Sequence, residues 1–259
     1  MTKKEIYASY GIEYNNGKIN APVFGWINPV LVNGNAKLGK GVWTFSTLPT
    51  KEVFHVEIDG VDYDVQGTCP CSCAGCYATT GFYRMPSVLK ANAMKTILAR
   101  FHLEWLKRAI IAQILAENIK LCRIHASGDF FSMDYINAWI EICKACKACA
   151  FWSYTKNIIA EKAFDNIGNI NIVKSIIHGY GFNFGKCEYI LKVYHALKEL
   201  GKDVYICRCG VDKNQHCTSC KGCSKNEYVL FIEHSTNYVA ENDPLFNVLK
   251  DIIEKQAKV

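Results

Sequence analysis

The chain has 259 residues, half of them hydrophobic, and a formal net charge of +6. This length suits one large domain, or one domain with appendages, and it can bury a sizeable core. The first residues lack an apolar run behind their charges, and no stretch approaches the ~20 apolar residues of a membrane span. We therefore expect a cytoplasmic protein with no signal peptide and no membrane partner. The positive charge permits nucleic acid as a partner without requiring it.

All 14 cysteines lie in the middle of the chain, between Cys69 and Cys223. Thiols stay reduced in the cytoplasm, so clustered cysteines there favour metal binding over disulfide bonds. The distribution of cysteine therefore points to one or more metal sites in a reduced protein.

Residues 1–64 predict a β-rich N-terminal cap. Short aromatic segments between turns, at 24–26 and 41–45, are typical of short strands. Residues 53–58 and 61–63 flank an Asp-Gly pair, which predicts a hairpin with a two-residue turn. The hairpin leads into a cysteine-rich loop.

Four cysteines stand within eight residues of this loop, residues 69–76. Two ligand motifs overlap in it. Cys69, Cys73 and Cys76 give C-x3-C-x2-C, and Cys71 can replace Cys69 to give C-x-C-x2-C. Thiolates at such spacing hold zinc or an iron–sulfur cluster, and the residues alone leave the choice open.

A four-residue apolar repeat then predicts a helical stretch over about 87–118, as one helix or two. Further on, strands alternate with helices, which indicates βαβ units and a parallel sheet. The predicted strands cover 121–126, 151–155, 170–177, 204–207 and 228–232. With one strand ahead of the cysteine loop, they predict an α/β fold with a partial (β/α)6 barrel over residues 65–235. A terminal helix is predicted within 236–259.

Active sites of such barrels lie at the C-terminal ends of the strands, where two polar loops are expected. In the first, Gly128 would let a ligand approach the backbone, and Asp129 would place a loosely packed carboxylate at the mouth. The alternative is an ordinary turn in which Asp129 or Ser132 only caps the next helix. In the second, Lys156 could bind a carboxylate or phosphate.

These loops supply the candidate site residues. The catalytic candidates are His125, Asp129 and Lys156. The candidate cofactor contacts are Tyr77, Ser127, Gly128, Asp129 and Ser153.

A second metal loop is expected at residues 207–223, as a cysteine-rich insertion. Cys209, Cys217, Cys220 and Cys223 complete a four-ligand site without Cys207, and both zinc and a four-iron cluster are allowed.

Three further cysteines, at 143, 146 and 149, also show a C-x2-C-x2-C pattern. The first two continue the apolar face of a predicted helix, so we favour packing for this group. Cys122 and Cys187 receive no role.

Several of these segments resemble the phage and plasmid gene product 88 family. The resemblance is carried by Cys76-Tyr77-Ala78, by residues 123–132, by Tyr154-Thr155-Lys156 and by the C-terminal cysteine group. It spans about residues 65–235. It suggests that the protein is encoded by a mobile element, which would place it in the cytoplasm of a host, and it says less about the reaction.

The spacing of Cys69, Cys73 and Cys76 is similar to the cluster motif of radical S-adenosylmethionine (SAM) enzymes, although Gly75 stands where that family prefers an aromatic residue. The resemblance implies a [4Fe–4S] cluster held by these three thiolates, with SAM on the open iron. It also implies that Ser127-Gly128-Asp129 contacts the SAM amino group. The C-terminal cysteine group would hold a second iron–sulfur cluster or zinc.

The overlapping motif resembles the tRNA-guanine transglycosylase superfamily, whose phage members insert deazaguanines into DNA. That resemblance implies zinc at Cys71, Cys73, Cys76 and His102, with Asp129 as nucleophile or base contact. A third interpretation is a metal-stapled nucleic-acid-binding or host-takeover protein, although no clear basic stripe favours it. We favour the iron–sulfur enzyme, with nucleotides and nucleic acids as candidate substrates.

Overall fold

The computed structural model describes residues 1–34, 38–73, 76–175, 184–208, 212, 216–220, 222–232 and 240–256. Its helices are α1 (Lys3–Ser9), α2 (Pro86–Phe101), α3 (Leu103–Ala116), α4 (Met133–Ala145), α5 (Ile158–Ala163), α6 (Cys187–Glu199), α7 (Cys217–Cys220) and α8 (Phe246–Gln256). Its strands are β1 (Tyr14–Asn15), β2 (Lys18–Ala21), β3 (Gly25–Ile27), β4 (Val32–Asn33), β5 (Val42–Thr44), β6 (Val53–Ile58), β7 (Val61–Gln66), β8 (Leu121–Ile124), β9 (Ala150–Thr155), β10 (Ile170–Lys174), β11 (Phe184–Gly185), β12 (Val204–Ile206) and β13 (Tyr228–Ile232).

The main sheet has five strands in the order β10-β9-β8-β5-β4. Strands β5, β8, β9 and β10 run parallel, and β4 pairs antiparallel with β5 at the edge. The parallel strands are closely aligned, since Val42 lies opposite Leu121 and Leu121 opposite Ala150. Their C-terminal ends therefore meet at one edge of the sheet, and the predicted α/β alternation is confirmed.

Strands β12 and β13 lie in a second sheet with β11, in the order β11-β13-β12, and all its pairs are parallel. In the described part of the chain, the five strands predicted from residue 121 onward are thus divided between these two sheets. The mixed α/β fold with a mainly parallel sheet is confirmed, and the six-unit partial barrel stays a prediction.

The main hydrophobic core packs helices α3 and α4 against the main sheet, with Trp139, Ile110 and Phe151 among its fully buried side chains. Tyr7 and Ile19, from the first part of the chain, belong to the same core. A separate core joins α6 and α8 to the second sheet. Helix α1 was not predicted in the β-rich cap; it is short and held by a capping box between Thr2 and Glu5.

The hairpin prediction is confirmed by β6 and β7, which pair antiparallel from end to end. Asp59 has φ +52° and Gly60 has φ +82°, the two positive values that a type I′ turn requires. The long helical stretch is two helices, because the backbone leaves helical geometry at His102, with φ −135° and ψ 41°. Within the described residues, no helix is both long and apolar enough to cross a membrane.

Candidate functional site

The cysteine loop begins at the C-terminal edge of the main sheet. The main-chain N and the Oγ1 of Thr68 each donate to Leu48 O at 3.0 Å. Cys69 N donates to Thr50 O at 2.9 Å. Because residues 47–50 follow β5 directly, these bonds hold the start of the loop against the end of that strand.

The same threonine joins the cysteine loop to the turn after β8. Thr68 Oγ1 accepts a hydrogen bond from Asp129 N at 3.1 Å and lies 2.8 Å from Thr47 Oγ1. Strands β5 and β8 are parallel neighbours. The cysteine loop thus meets the turn after β8 at this edge of the main sheet, although in the chain it follows strand β7 of the hairpin.

Each thiol of the cysteine loop is half-buried, and none forms a disulfide. Cys71 Sγ and Cys73 Sγ are 4.0 Å apart. Burial, and next the Asp129 carboxylate, raises the pKa of Cys69, while burial and the neighbouring Cys73 raise the pKa of Cys71. Both thiols are therefore protonated at neutral pH without a metal.

The described residues omit 74 and 75 of this loop. Within the described ranges, no three His, Cys, Asp or Glu side chains are placed as a ready metal-binding group. Two ligand sets therefore remain available. Both contain Cys73 and Cys76, and they differ in whether Cys69 or Cys71 provides the remaining thiol.

Asp129 is buried and its carboxylate is hydrogen-bonded on both oxygens. Oδ1 accepts from Thr155 Oγ1 at 2.6 Å and from Phe130 N at 2.7 Å. Oδ2 accepts from Lys156 N at 2.8 Å. Burial raises the pKa of Asp129 to about 6, although these hydrogen bonds lower it. The expectation of a loosely packed carboxylate is wrong, because Asp129 ties the turn after β8 to the turn after β9.

The start of α4 belongs to Ser132, whose Oγ accepts from Tyr135 N at 3.2 Å. Of the two capping residues that the ordinary-turn alternative offered, Ser132 is confirmed and Asp129 is not the cap.

Gly128 has φ +86° and faces two threonines. A Cβ on this residue would collide with Thr47 Oγ1 and would lie 2.6 Å from Thr68 Oγ1. The space that the sequence suggested for a ligand is filled by the side chains that dock the cysteine loop. Glycine is needed here for close packing of two loops.

His125 lies in an aromatic cluster, with φ +58° and 2% of its surface exposed. Its Nε2 is 2.9 Å from Tyr135 Oη, and its Nδ1 is 3.5 Å from Ser153 Oγ. The Phe130 ring packs edge-on against it, with centroids 4.6 Å apart. Burial, and next the Arg123 charge, lowers the pKa of His125 to about 3. The imidazole is thus neutral at physiological pH.

We expect His125 to make the fold sensitive to acid. Its folded pKa of about 3 lies below the ordinary value of 6.5, so its contribution is complete above pH 6.5 and is lost as the pH falls toward 3. Urea unfolding measures the free energy of unfolding of the native chain and of His125→Gln. The difference between the two should decrease by about 3 kcal/mol between pH 7 and pH 4.5. A difference that stays constant with pH would contradict this prediction.

The two candidate serines are used within the fold. Ser127 Oγ donates to Thr47 O at 2.8 Å, and Ser153 Oγ donates to Ile124 O at 3.0 Å. Both side chains are buried. Their hydroxyls tie neighbouring strands together in this structure.

Tyr77, next to the last cysteine of the loop, is more than half exposed, but its hydroxyl is engaged. Tyr77 Oη donates to Ala126 O at 2.6 Å, and Tyr83 Oη donates to the same carbonyl at 3.2 Å. Arg123 Nη2 donates to Tyr77 Oη at 3.2 Å. These bonds fix the segment after Cys76 against the end of β8.

Lys156 brings a positive charge to this edge of the sheet. Its ammonium lowers the pKa of both Asp129 and Cys71, so it lies near both groups. The side chain is half-buried. Of the candidate catalytic residues, Lys156 is the one whose charged group is not buried.

Two cations of the region were missed by the sequence analysis. The Arg123 guanidinium lies 5.1 Å from the centre of the Tyr154 ring, and Lys95 Nζ lies 5.9 Å from the centre of the Phe45 ring. Burial lowers the pKa of Lys95 to about 8. Local spacing gives neither residue a role, because their partners come from distant segments.

The C-terminal group differs from the predicted ligand set. Cys209 lies outside the described residues. A small cavity is lined by Leu121, Trp152, Cys207, Cys217, Cys220, Gly222, Cys223 and Ser224. Cys207, which the predicted set excluded, is therefore close to the other three.

A third group of cysteines converges in the main core. Cys122, Cys143, Cys146 and Cys149 are all buried and near one another. The Asn169 side-chain amide contacts the carbonyl oxygens of the last three at 3.0–3.2 Å. Burial raises the pKa of each thiol, which fits the packing interpretation. Cys122 belongs to this group, which its sequence position did not reveal.

Taken together, these features define a mixed α/β protein with a cysteine-rich loop at the C-terminal edge of a mainly parallel sheet. Residues 29–176 match the family model of gene product 88, and the chain belongs to this family. The matched range contains the cysteine loop, Asp129 and Lys156, and it ends before the C-terminal cysteine group. No curated protein and no solved structure matches the chain.

Proposed function

We propose that the protein is an iron–sulfur enzyme of the radical SAM type, in which Cys69, Cys73 and Cys76 hold a [4Fe–4S] cluster. The observation that carries the proposal is the position of the loop. It follows the β6–β7 hairpin, and hydrogen bonds from Thr68 and Cys69 hold it against the segment after β5, the first parallel strand of the main sheet. Thr68 also fixes it beside the turn after β8. In α/β proteins, this edge of the sheet is where ligands bind.

The donor set suits such a cluster. Thiolates are the ligands that iron–sulfur clusters use, and three of them leave one iron open. When bound, the cluster would supply an electron to SAM. The raised pKa of Cys69 means that cluster binding must displace a proton from this thiol.

The chain's own residues would shape the space beside the cluster. Lys156 offers a positive charge near Cys71, which suits a carboxylate or a phosphate. Asp129 holds the Thr155–Lys156 segment in place through two hydrogen bonds, so we assign it a positioning role. Together with the net charge of +6, Lys156 favours a nucleotide or nucleic-acid substrate.

The proposal includes the partial barrel, with β12 and β13 continuing beyond β10. Lys174 N donates to Glu227 O at 3.0 Å, between the end of β10 and the segment just before β13. Asn171 Nδ2 donates to Asn226 O at 2.9 Å. These bonds link the two sheets on the side where a sixth unit would follow.

Metal analysis after anaerobic preparation and reconstitution tests the proposal. We expect iron and sulfide sufficient for at least one four-iron cluster, and slow formation of 5′-deoxyadenosine from SAM with a strong reductant. The matched variants are Cys69→Ser and Cys71→Ser. Cys69→Ser should lose the iron of this loop, and Cys71→Ser should retain it, because only the first thiol belongs to the C-x3-C-x2-C motif.

Zinc alone would overturn the proposal, as would iron that is lost from Cys71→Ser and kept by Cys69→Ser. Such a result would favour a zinc site at Cys71, Cys73 and Cys76. His102, the further ligand of that alternative, lies between α2 and α3, where it lines an open groove with Phe131 and Asp134.

A further inference from the structure

The four cysteines around the C-terminal cavity come from three successive segments. Cys207 follows β12, Cys217 and Cys220 are the first and last residues of α7, and Cys223 lies in the 3₁₀ turn after it. Cys207 is 7% exposed. Packing alone does not explain why four thiols from three segments line one cavity.

The size of the cavity restricts its occupant. Its volume is about 10 Å³, close to the space of a single water-sized sphere. A single ion matches this space, whereas a cluster of four irons and four sulfides would require the surrounding turns to move apart. Leu121 and Trp152, which also line the cavity, carry no charge, so the thiolates must balance the positive charge of a bound ion.

We propose that Cys207, Cys217, Cys220 and Cys223 bind one zinc ion, with Cys207 as the fourth ligand. Four thiolates at about 2.3 Å in a tetrahedron form a closed structural zinc site. In the described structure no three of these thiols form a ready ligand set, so the side chains must turn toward the cavity as zinc binds. Four thiols then release four protons, and the zinc–tetrathiolate unit carries two negative charges.

Hydroxyl groups and a cation near the thiols can stabilise this negative charge. Tyr205 Oη lies 3.2 Å from Cys220 Sγ, and the Tyr154 hydroxyl is hydrogen-bonded to Cys223. Hydroxyls placed in this way can donate to thiolates and orient them. Arg123 is near enough to Cys223 for their charges to interact.

The ion would tie the end of β12 to α7 and the 3₁₀ turn after it, which pack against the main sheet. Cys207 extends β12 of the second sheet, and Cys207 N donates to Leu230 O at 2.8 Å in β13. Trp152 and Leu121, which also line the cavity, belong to β9 and β8 of the main sheet. Zinc binding would therefore contribute to docking the second sheet on the first.

The test measures zinc, iron and sulfide in the full chain and in single variants. We expect Cys207→Ser and Cys220→Ser each to lose about one zinc per chain with no change in iron or sulfide. Cys209→Ser, the matched control, should keep its zinc. Cys207→His should also keep zinc, because imidazole replaces thiolate in structural sites. Zinc lost from Cys209→Ser and kept by Cys207→Ser would overturn the proposal, as would iron and sulfide bound at this group.

Two further measurements keep the result independent of folding and of the loop. If Cys207→Ser does not fold, Co²⁺ substitution in the native chain reports the ligands, and a spectrum of fewer than four thiolates would contradict the site. Cys73→Ser should retain this zinc. The absence of iron at the cysteine loop would therefore not affect the zinc result, so the iron–sulfur proposal and the zinc proposal can be rejected independently.

Discussion

Alanine in place of Gly128 is expected to lower the free energy of unfolding by about 2–5 kcal/mol. Two effects add. The φ of +86° is a left-handed conformation that costs an L-residue roughly 1–2 kcal/mol. The new Cβ would also collide with Thr47 Oγ1 and crowd Thr68 Oγ1, both in the packed contact that docks the cysteine loop. Relieving the collision must move the loop away from the end of β8.

The matched control for this change is Gly60→Ala in the hairpin turn. Gly60 has φ +82°, close to that of Gly128, and a Cβ there meets no atom within 4 Å. Denaturant unfolding of the two variants separates the backbone cost, present in both, from the collision, present only at Gly128. If both substitutions lower the free energy of unfolding equally, the Thr47 and Thr68 side chains can move aside at little cost, and the prediction is wrong.

Local patterns in the sequence predicted those parts of the fold that local physics decides. The β6–β7 hairpin follows from an Asp-Gly pair between two alternating segments, and its turn has the expected two positive φ values. The parallel strands β8, β9 and β10 follow from short apolar runs separated by helical periodicity. The meeting of the cysteine loop with the turn at Asp129 needs more than strand adjacency, because the loop follows the β6–β7 hairpin and Thr68 brings it back to the main sheet.

Side-chain partners from distant segments could not be predicted in this way. Asp129 was expected at an open mouth, yet its oxygens bind Thr155 and Lys156, 26 and 27 residues away in the chain. The space beside Gly128 is filled by Thr47 and Thr68, about 80 and 60 positions earlier. Sequence spacing reports which residues are neighbours along one element, and it carries no information on which loop occupies a given space.

The cysteine groups show the same limit. Cys122 stands alone in the sequence, and only the pairing of β8 with β9 brings it beside Cys149. Cys207 was set aside because the spacing of the later cysteines already gave four ligands. The fold places it at the cavity because it continues β12, next to β13.

These positions divide the cysteines by environment. The loop thiols are half-buried beside a positive charge from Lys156, the core group is buried among apolar side chains, and the C-terminal group surrounds a cavity between two sheets. A metal held by Cys69, Cys73 and Cys76 would keep an open coordination position, whereas one held by the four thiols of the C-terminal cavity would have none. The first environment suits chemistry and the second suits stability.

We therefore expect opposite consequences from removing thiols of the two sites. Cys73→Ser should abolish activity and leave the thermal midpoint within a few degrees of the native value, because the loop is held by Thr68 rather than by its thiols. Cys220→Ser should lower the midpoint strongly and expose α6, α8 and β13 to hydrogen exchange. A structural zinc contributes on the order of 10 kcal/mol of binding free energy to the folded state.

Hydrogen exchange resolved along the chain provides the measurement, with β8 and β9 as the internal reference in the same molecules. In Cys220→Ser, these two strands should keep most of their protection, since their core is separate from that of α6 and α8. Chelation of zinc from the native chain should produce the same regional pattern as the substitution. The assignment is reversed if Cys73→Ser unfolds the protein while Cys220→Ser leaves both stability and exchange unchanged.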